Sequence, residues 1–282
     1  MTTWTDFLGA EVRWLDVDGV PTRVVIMGEG DATLVLLHGR GGHLESWRRN
    51  ACALAAGGHR VVAFDLLGHG LTGRHEGGYG VADLVAHAAA TLDELAISGA
   101  TLVGQSIGGW VAVELALRRS DLAAALVLVE PAGLQSERER LADPMVAAAY
   151  ARGGKAFEEP TVDAVRDRLL GLFADPDRID DELVALRQAL YAPAEARAVH
   201  RAVRAADNTT LVLTPRRLAC LRLPTLLIHG ERANTPDDVI AAAAAAAGAR
   251  LVVVPDTKQW PHYEAPAAVN DLILSFNDNN EV

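Results

Sequence analysis

Ser106 stands in Gly104-Gln105-Ser106-Ile107-Gly108, a serine with glycine two residues away on either side. A serine hydroxyl exposed on a tight strand-to-helix turn can attack a carbonyl carbon or donate a hydrogen bond to its oxygen. The two glycines suit such a turn because it has no room for side chains. Ile107 would begin the following helix and offer its backbone N–H to a developing oxyanion, with the helix dipole favouring the negative charge.

The elements that must hold this serine are legible on both sides of it. Ala100 to Val103 is a short apolar run without alternation, as a strand buried on both faces requires, and a helical pattern follows the serine. Three more runs read the same way. Thr33 to Leu37 ends in the glycine-rich loop His38-Gly39-Arg40-Gly41-Gly42. Arg60 to Phe64 is closed by Asp65-Leu66-Leu67-Gly68-His69-Gly70, and Ala123 to Val129 ends at Glu130-Pro131. Trp47 to Ala56 and Val81 to Leu95 read as helices. Glu11 to Val17 and Arg23 to Met27 read as strands around the turn Asp18-Gly19. Strands alternating with helices predict an α/β fold with a mainly parallel sheet.

The pattern changes after Gly133. Residues 134–208 are helical and more charged, punctuated by Pro144, Pro160, Pro176 and Pro193. They read as a helical cap that divides a core made of residues 1–133 and 209–282. The sheet resumes at Thr225 to His229. Thr235 is expected to cap the next helix, with Pro236 in its first turn and Gly248 at its end. Leu251 to Val254 reads as the last strand and Ala267 to Phe276 as the last helix, before a polar tail, Asn277 to Val282, expected to fray.

Composition narrows the class. Half of the 282 residues are hydrophobic and 22% are charged, enough for a sizeable core. A net charge of −11 argues against nucleic acid as a partner. The two cysteines, Cys52 and Cys220, are too few for a disulfide framework and are expected to be reduced and packed. Met1 to Ala10 lacks the features of a signal peptide, and the longest apolar stretch, Ala241 to Ala247, is too short to cross a bilayer. These features point to a soluble cytoplasmic protein with no membrane partner. No metal-ligand spacing occurs, and Gly39-Arg40-Gly41-Gly42 is not a dinucleotide fingerprint, so no metal and no cofactor are expected.

Taken together, the motifs resemble the α/β-hydrolase superfamily, and within it the meta-cleavage-product hydrolases, which cut carbon–carbon bonds in ring-opened aromatic compounds. His38-Gly39-Arg40-Gly41-Gly42-His43-Leu44-Glu45 resembles their oxyanion loop, and Gly104-Gln105-Ser106-Ile107-Gly108-Gly109-Trp110 their nucleophile elbow. Asp65 to Gly70, Leu213 to Leu218 and Trp260-Pro261-His262-Tyr263-Glu264-Ala265-Pro266 resemble three further segments of that family. The resemblance implies an eight-stranded, mainly parallel sheet with a helical cap after strand 6. It also implies an oxyanion hole from Gly39, Arg40, Gly41, Gly42 and Ile107, and a cleft at the strand C-termini.

Two departures bear on the chemistry. Superfamily order is nucleophile, acid, histidine. The acid position after the Thr225 to His229 strand falls on Ala233, or on Asn234 if the register slips by one; Glu231 would point elsewhere. The histidine should directly precede Trp260, and Gln259 stands there. Gln259 can hydrogen-bond Ser106 but cannot take its proton. Substitute bases are Glu130, where relatives such as the haloalkane dehalogenases place their acid, His262 and His43. Substrate contacts are expected from His43, Gln105 and Trp260. Arg197, Arg201 and Arg204 recur near helical spacing; if one side of that row meets the cleft, it would hold an anionic or phenolic substrate. His38 and His69 are expected to support their loops, and His229 to be structural. His59, His75, His87 and His200 are expected on the surface or in packing.

Three functions follow from these residues. The first is a non-hydrolytic change of a small, partly apolar carbonyl or phenolic metabolite of secondary metabolism (isomerisation, cyclisation or elimination), with Ser106 and the loop N–H groups stabilising an oxyanion. The second is an ester or carbon–carbon hydrolase with a relocated base. The third is a non-catalytic ligand-binding protein. The expected partner is a small-molecule substrate, with a homodimer left open.

Overall fold

The computed structural model describes residues 3–278. Its centre is a sheet of eight strands: β1 (Glu11–Val17), β2 (Val20–Met27), β3 (Thr33–Leu37), β4 (Arg60–Phe64), β5 (Ala100–Gln105), β6 (Ala123–Val129), β7 (Thr225–Gly230) and β8 (Arg250–Val254). The spatial order is β1-β2-β4-β3-β5-β6-β7-β8. β2 is antiparallel to both β1 and β4, and the remaining pairs are parallel. The β1–β2 hairpin turns through Asp18 (φ 51°) and Gly19 (φ 80°), a left-handed pair that matches the twist of the strands it joins.

Successive residues of the central strands face opposite sides, and each side is covered. Leu36 and Val103 pack with Trp47, Ile273 and Phe276 under the helices Ala51–Ala56 and Pro266–Asp278. Val35 and Leu102 pack with Leu84, Val111 and Ile240 under Val81–Glu94, Ile107–Arg118 and Asp237–Ala247. Each such fully buried Leu or Val stabilises the fold by about 1.5–3 kcal/mol. Continuous apolar strands are therefore necessary, because neither face meets water.

Among the described residues six helices lie between β6 and β7: Glu137–Arg140, Pro144–Glu158, Val162–Leu170, Asp181–Tyr191, Ala194–Ala205 and Pro215–Leu218. Asp143, Thr161 and Asp180 cap three of them by accepting backbone N–H groups. The three helices so capped share a separate apolar cluster, which includes Phe157, Leu169 and Tyr191 together with Trp260 and Tyr263 from beyond β8. Among the described residues no helix is long and apolar enough to cross a membrane.

Local expectations need four corrections. Trp47 ends a short 3-10 turn, Leu44–Trp47, and the helix starts only at Ala51, because buried Asn50 donates its amide to His262 O and Asn270 Oδ1 instead of continuing a helix. Pro236, not Thr235, is the residue before the helix Asp237–Ala247; Thr235 stands against Glu130 instead. Gly248 does end that helix, in the left-handed region at φ 63°. Asn277 is not frayed: it is buried in the last helix and accepts from Thr101 Oγ1 at 2.6 Å, while residues 279–282 lie outside the described part. Cys52 and Cys220 are free thiols, but exposed instead of packed.

Candidate active site

Ser106 occupies the turn between β5 and the helix Ile107–Arg118 at φ 52°, ψ −116°. A non-glycine residue there costs about 1–3 kcal/mol of backbone strain. The surroundings enforce it. A Cβ on Gly104 would lie 2.4 Å from Gly108 O, and one on Gly108 would lie 2.3 Å from Leu37 O. The Ser106 N–H donates to Val129 O at 3.0 Å, and its carbonyl accepts from Ala132 and Trp110. Among the described residues no hydrogen bond is made by its hydroxyl.

Ser106 faces a cleft with two lobes. One, of about 170 Å³, is lined by Ser106, Glu130, Arg140, Asn234, Thr235 and Gln259 among others. The other, of about 120 Å³, shares Ser106, Arg140, Asn234 and Gln259 and adds Gly39, Arg40, Gln105, Tyr150, Arg168, His200, Arg204 and Trp260. Ile107 is the first residue of its helix, so its N–H lacks an acceptor within the helix.

The loop after β3 contributes fewer donors than expected. Gly39 and Arg40 line the second lobe. Gly41 and Gly42 do not; they border a separate small cavity with His69 and Phe157. The reason is that the loop closes on itself: Gly42 N–H donates to Gly39 O at 2.8 Å, and Gly41 O accepts from Tyr191 Oη at 2.7 Å. His38 joins this loop to the next one, its Nε2 accepting from Leu66 N–H at 3.0 Å; burial holds its pKa well below the usual histidine range. His69 Nδ1 lies 2.9 Å from Leu67 O and braces its turn. Asp65 accepts from Leu44 N–H, Leu71 N–H and Arg23 Nε, and Arg23 in turn clamps Glu45. His43, expected at the substrate, instead pairs through Nδ1 with Glu45 at 2.8 Å, fully buried behind the loop.

The loops after β7 and β8 supply the opposite wall. Gln259 is held by its main chain, the N–H donating to Leu172 O at 3.0 Å and the carbonyl accepting from Gln105 Nε2 at 3.2 Å. Its side-chain Nε2 has no partner among the described residues. Glu264 braces the same loop by accepting from Lys258 N–H and Ala174 N–H. Ala233 does not line the cleft; its N–H donates to Gly230 O, and Asn234 is the residue that faces Ser106.

Three expected participants lie elsewhere. His262 is fully buried between the rings of Trp47 and Trp260 and lines neither lobe; burial, reinforced by Arg187, pushes its pKa down to about 3. Arg197 donates to Ala192 O, and Arg201 pairs with Glu158 at the surface. Only Arg204 of that helical row lines the cleft, one turn after His200 on the same helix.

The sequence reading did not single out Arg140 or Arg168. With Arg40 and Arg204 they put four guanidinium groups on the second lobe. Among the described residues only Glu137 forms an ion pair with any of them, at 3.3 Å to Arg40 and 2.9 Å to Arg140. Arg168 donates to Gly153 O and Arg40 O, and Arg204 lies over the Tyr150 ring. Burial and the neighbouring Arg40 lower the pKa of Arg140. His200, expected in packing, stacks on Phe157 and also borders this lobe. No local signal marks these residues, since they come from separate helices.

Glu130 follows β6 with φ 46° and is 2% exposed. Its Oε1 accepts from Gly230 N–H at 2.7 Å and lies 2.7 Å from His229 Nδ1. Its Oε2 has no partner among the described residues. Burial raises the Glu130 pKa, opposed by His229, the Gly230 N–H and Thr235. For His229 burial acts downward, but Glu130 and Asp237 outweigh it and the pKa is raised.

Comparison with known proteins gives a consistent result. Residues 34–272 match the model of the alpha/beta hydrolase family. The chain is 31% identical over 195 residues to the dihydrolipoyllysine-residue acetyltransferase component of the acetoin cleaving system of Cupriavidus necator, covering 64% of this chain but 50% of that protein, so it spans about half that relative's length. It is 28% identical over 279 residues to 2-hydroxy-6-oxo-6-(2'-aminophenyl)hexa-2,4-dienoic acid hydrolase of Metapseudomonas resinovorans, covering 94% of this chain and 90% of that one. The solved structure of a meta-cleavage product hydrolase from Pseudomonas fluorescens superimposes with a TM-score of 0.82 at 25% identity, covering 95% and 97% of the two chains.

Proposed function

The chain belongs to the alpha/beta hydrolase family, and from that premise we propose that it is an enzyme with a degenerate triad that moves a proton on a small, anionic, partly apolar carbonyl or phenolic metabolite without hydrolysing it. The outcome is an isomerisation, cyclisation or elimination. The observation that carries this reading is the company Ser106 keeps: Gln259 and Asn234 share both lobes with it, and neither can take its proton. In a worked serine-protease example, loss of the base alone costs about 10⁶ in turnover. Polarising a carbonyl needs no base beside the serine.

In this reading the Ser106 hydroxyl and the Ile107 N–H donate to the substrate carbonyl oxygen. Glu130 removes a proton from the neighbouring carbon through its free Oε2. The electron pair passes to the oxygen as an enolate, and the proton returns at a different carbon or a leaving group departs. One oxyanion donor contributes on the order of 10²–10³ and a positioned base about 10²–10⁴. Arg40, Arg140, Arg168 and Arg204 favour a substrate that carries negative charge, and the helices between β6 and β7 act as the cap over it.

The presence of Glu130 in the lobe of Ser106 also favours a second reading, a serine hydrolase with Glu130 as relocated base. A fluorophosphonate probe separates the two. The proton-transfer reading expects Ser106 to stay unlabelled while the protein accelerates exchange of the C3 protons of phenylpyruvate in D₂O, followed by proton NMR. Rapid, stoichiometric labelling of Ser106 overturns it in favour of the hydrolase.

A further inference from the structure

A buried carboxylate is a costly base, because burial favours its neutral form. Glu130 lines the lobe of Ser106 with its side chain fully buried in the wall, yet it does not stand alone. Its Oε1 is 2.7 Å from His229 Nδ1, and the other ring nitrogen, Nε2, is 3.3 Å from Asp237 Oδ1. The side chains of Glu130 and His229 are 0% and 2% exposed, whereas that of Asp237 is 94% exposed. The three groups therefore form two successive charge contacts between the cleft wall and the surface, from the end of β6 through β7 to the start of the helix Asp237–Ala247, of which the His229 Nε2–Asp237 contact also has hydrogen-bond geometry. The other polar groups facing the pair are the Gly230 N–H and Thr235, both on Glu130.

We propose that His229, backed by Asp237, is a positioning residue that holds Glu130 ionised as the base of the cleft and releases a proton toward solvent when Glu130 gains one. This inference rests on the reading of Glu130 as the acid–base group. In the resting pair the imidazolium stands in charge contact with Oε1, and Oε2 has no hydrogen-bond partner among the described residues. When Oε2 takes a proton from the substrate carbon, the electron pair of the broken C–H bond stays on the substrate. His229 then passes its Nε2 proton to Asp237 and on to water, so one proton enters the buried pair as one leaves and its net charge stays zero. The reverse sequence returns the proton. No oxidant, reductant or co-reactant is required.

Two measurements test this, and only the second needs the proposed reaction. In ¹⁵N-histidine NMR titrations His229 is expected to remain imidazolium through neutral pH. Its midpoint should fall by at least about one pH unit in Glu130→Gln and by less in Asp237→Asn, since removing a charge within 4–6 Å shifts a pKa by roughly 1–3 units. An unchanged midpoint in Glu130→Gln overturns the inference whatever the enzyme does. In phenylpyruvate proton exchange, His229→Gln should move the acid limb of the rate profile to higher pH by at least about one unit, because the buried carboxyl loses its counter-charge. A slower rate with an unshifted limb overturns the inference and leaves His229 as scaffold. If the wild-type protein exchanges no phenylpyruvate protons, the proposed reaction fails, and the NMR titration alone decides the fate of the pair.

Discussion

The side-chain amide of Gln105 donates to the main-chain carbonyl of Gln259 at 3.2 Å, joining residues 154 positions apart in the chain. It ties the last residue of β5 to the loop beyond β8. Gly39 packs on the same amide: a Cβ there would lie 2.0 Å from Gln105 Oε1 and 3.2 Å from Ser106 Cβ.

Gly39→Ala should therefore destabilise the protein by about 1 kcal/mol, the low end for overpacking because the atom met is a side-chain end. With Gln105→Ala already in place the added cost should be smaller, with a coupling of at least about 0.5 kcal/mol in a urea double-mutant cycle. Strictly additive costs would show that the two residues do not press on each other.

His262 gives the fold an acid sensitivity. Its pKa is about 3 in the folded protein, lowered by burial and Arg187, against about 6.5 when unfolded. Above pH ~6.5 both states are neutral and the full stability is present. As pH falls the unfolded chain takes the proton first, so stability drops by up to about 1.4 kcal/mol per unit until the folded pKa is reached. His262→Phe, placed between Trp47 and Trp260, should lose about 2 kcal/mol less than wild type between pH 6.5 and 5 in urea melts. Parallel losses in the two proteins would assign the sensitivity elsewhere.

Introducing a histidine and an acid beside Ser106 tests where the parts of a hydrolytic triad would stand. Asn234 lines both lobes with Gln259, whereas Ala233 lines neither. Gln259→His combined with Asn234→Asp should raise p-nitrophenyl acetate hydrolysis and admit fluorophosphonate labelling of Ser106. The same histidine combined with Ala233→Asp should gain less. The opposite ranking would move the acid position back to Ala233.

The proposed anionic substrate makes the four arginines of the second lobe a test of charge selectivity. Arg204→Gln should weaken phenylpyruvate binding about tenfold or more, the size of one lost charge-assisted hydrogen bond, while binding of uncharged phenylacetone changes little. Arg197→Gln and Arg201→Gln are controls that should leave both ligands unaffected, because these side chains are turned away from the lobes. Equal loss for the charged and the neutral ligand would point to packing instead of charge.

Local patterns were enough to place most of the frame. Continuous apolar runs located the central strands, since burial on both faces leaves no alternation to obscure them. Glycine spacing located the serine turn, because a Cβ on Gly104 or Gly108 would lie within 3 Å of backbone atoms. Boundaries failed where a distant contact decided them. Asn50 stops a helix by bonding residues more than 200 positions away, and Asn277 is held in one by Thr101.

The sequence by itself determined the α/β frame, the position of Ser106 and the presence of Gln259 beside Trp260, because each is written in neighbouring residues. Only the tertiary structure decided which titratable groups meet. It removed His43 and His262 from the cleft, set Asn234 in place of Ala233, and put Glu130 against His229 across two strands. It also brought Arg40, Arg140, Arg168 and Arg204 to one lobe from a loop and three different helices. The reason is physical: electrostatic interaction depends on distance and burial, and neither is set by separation along the chain.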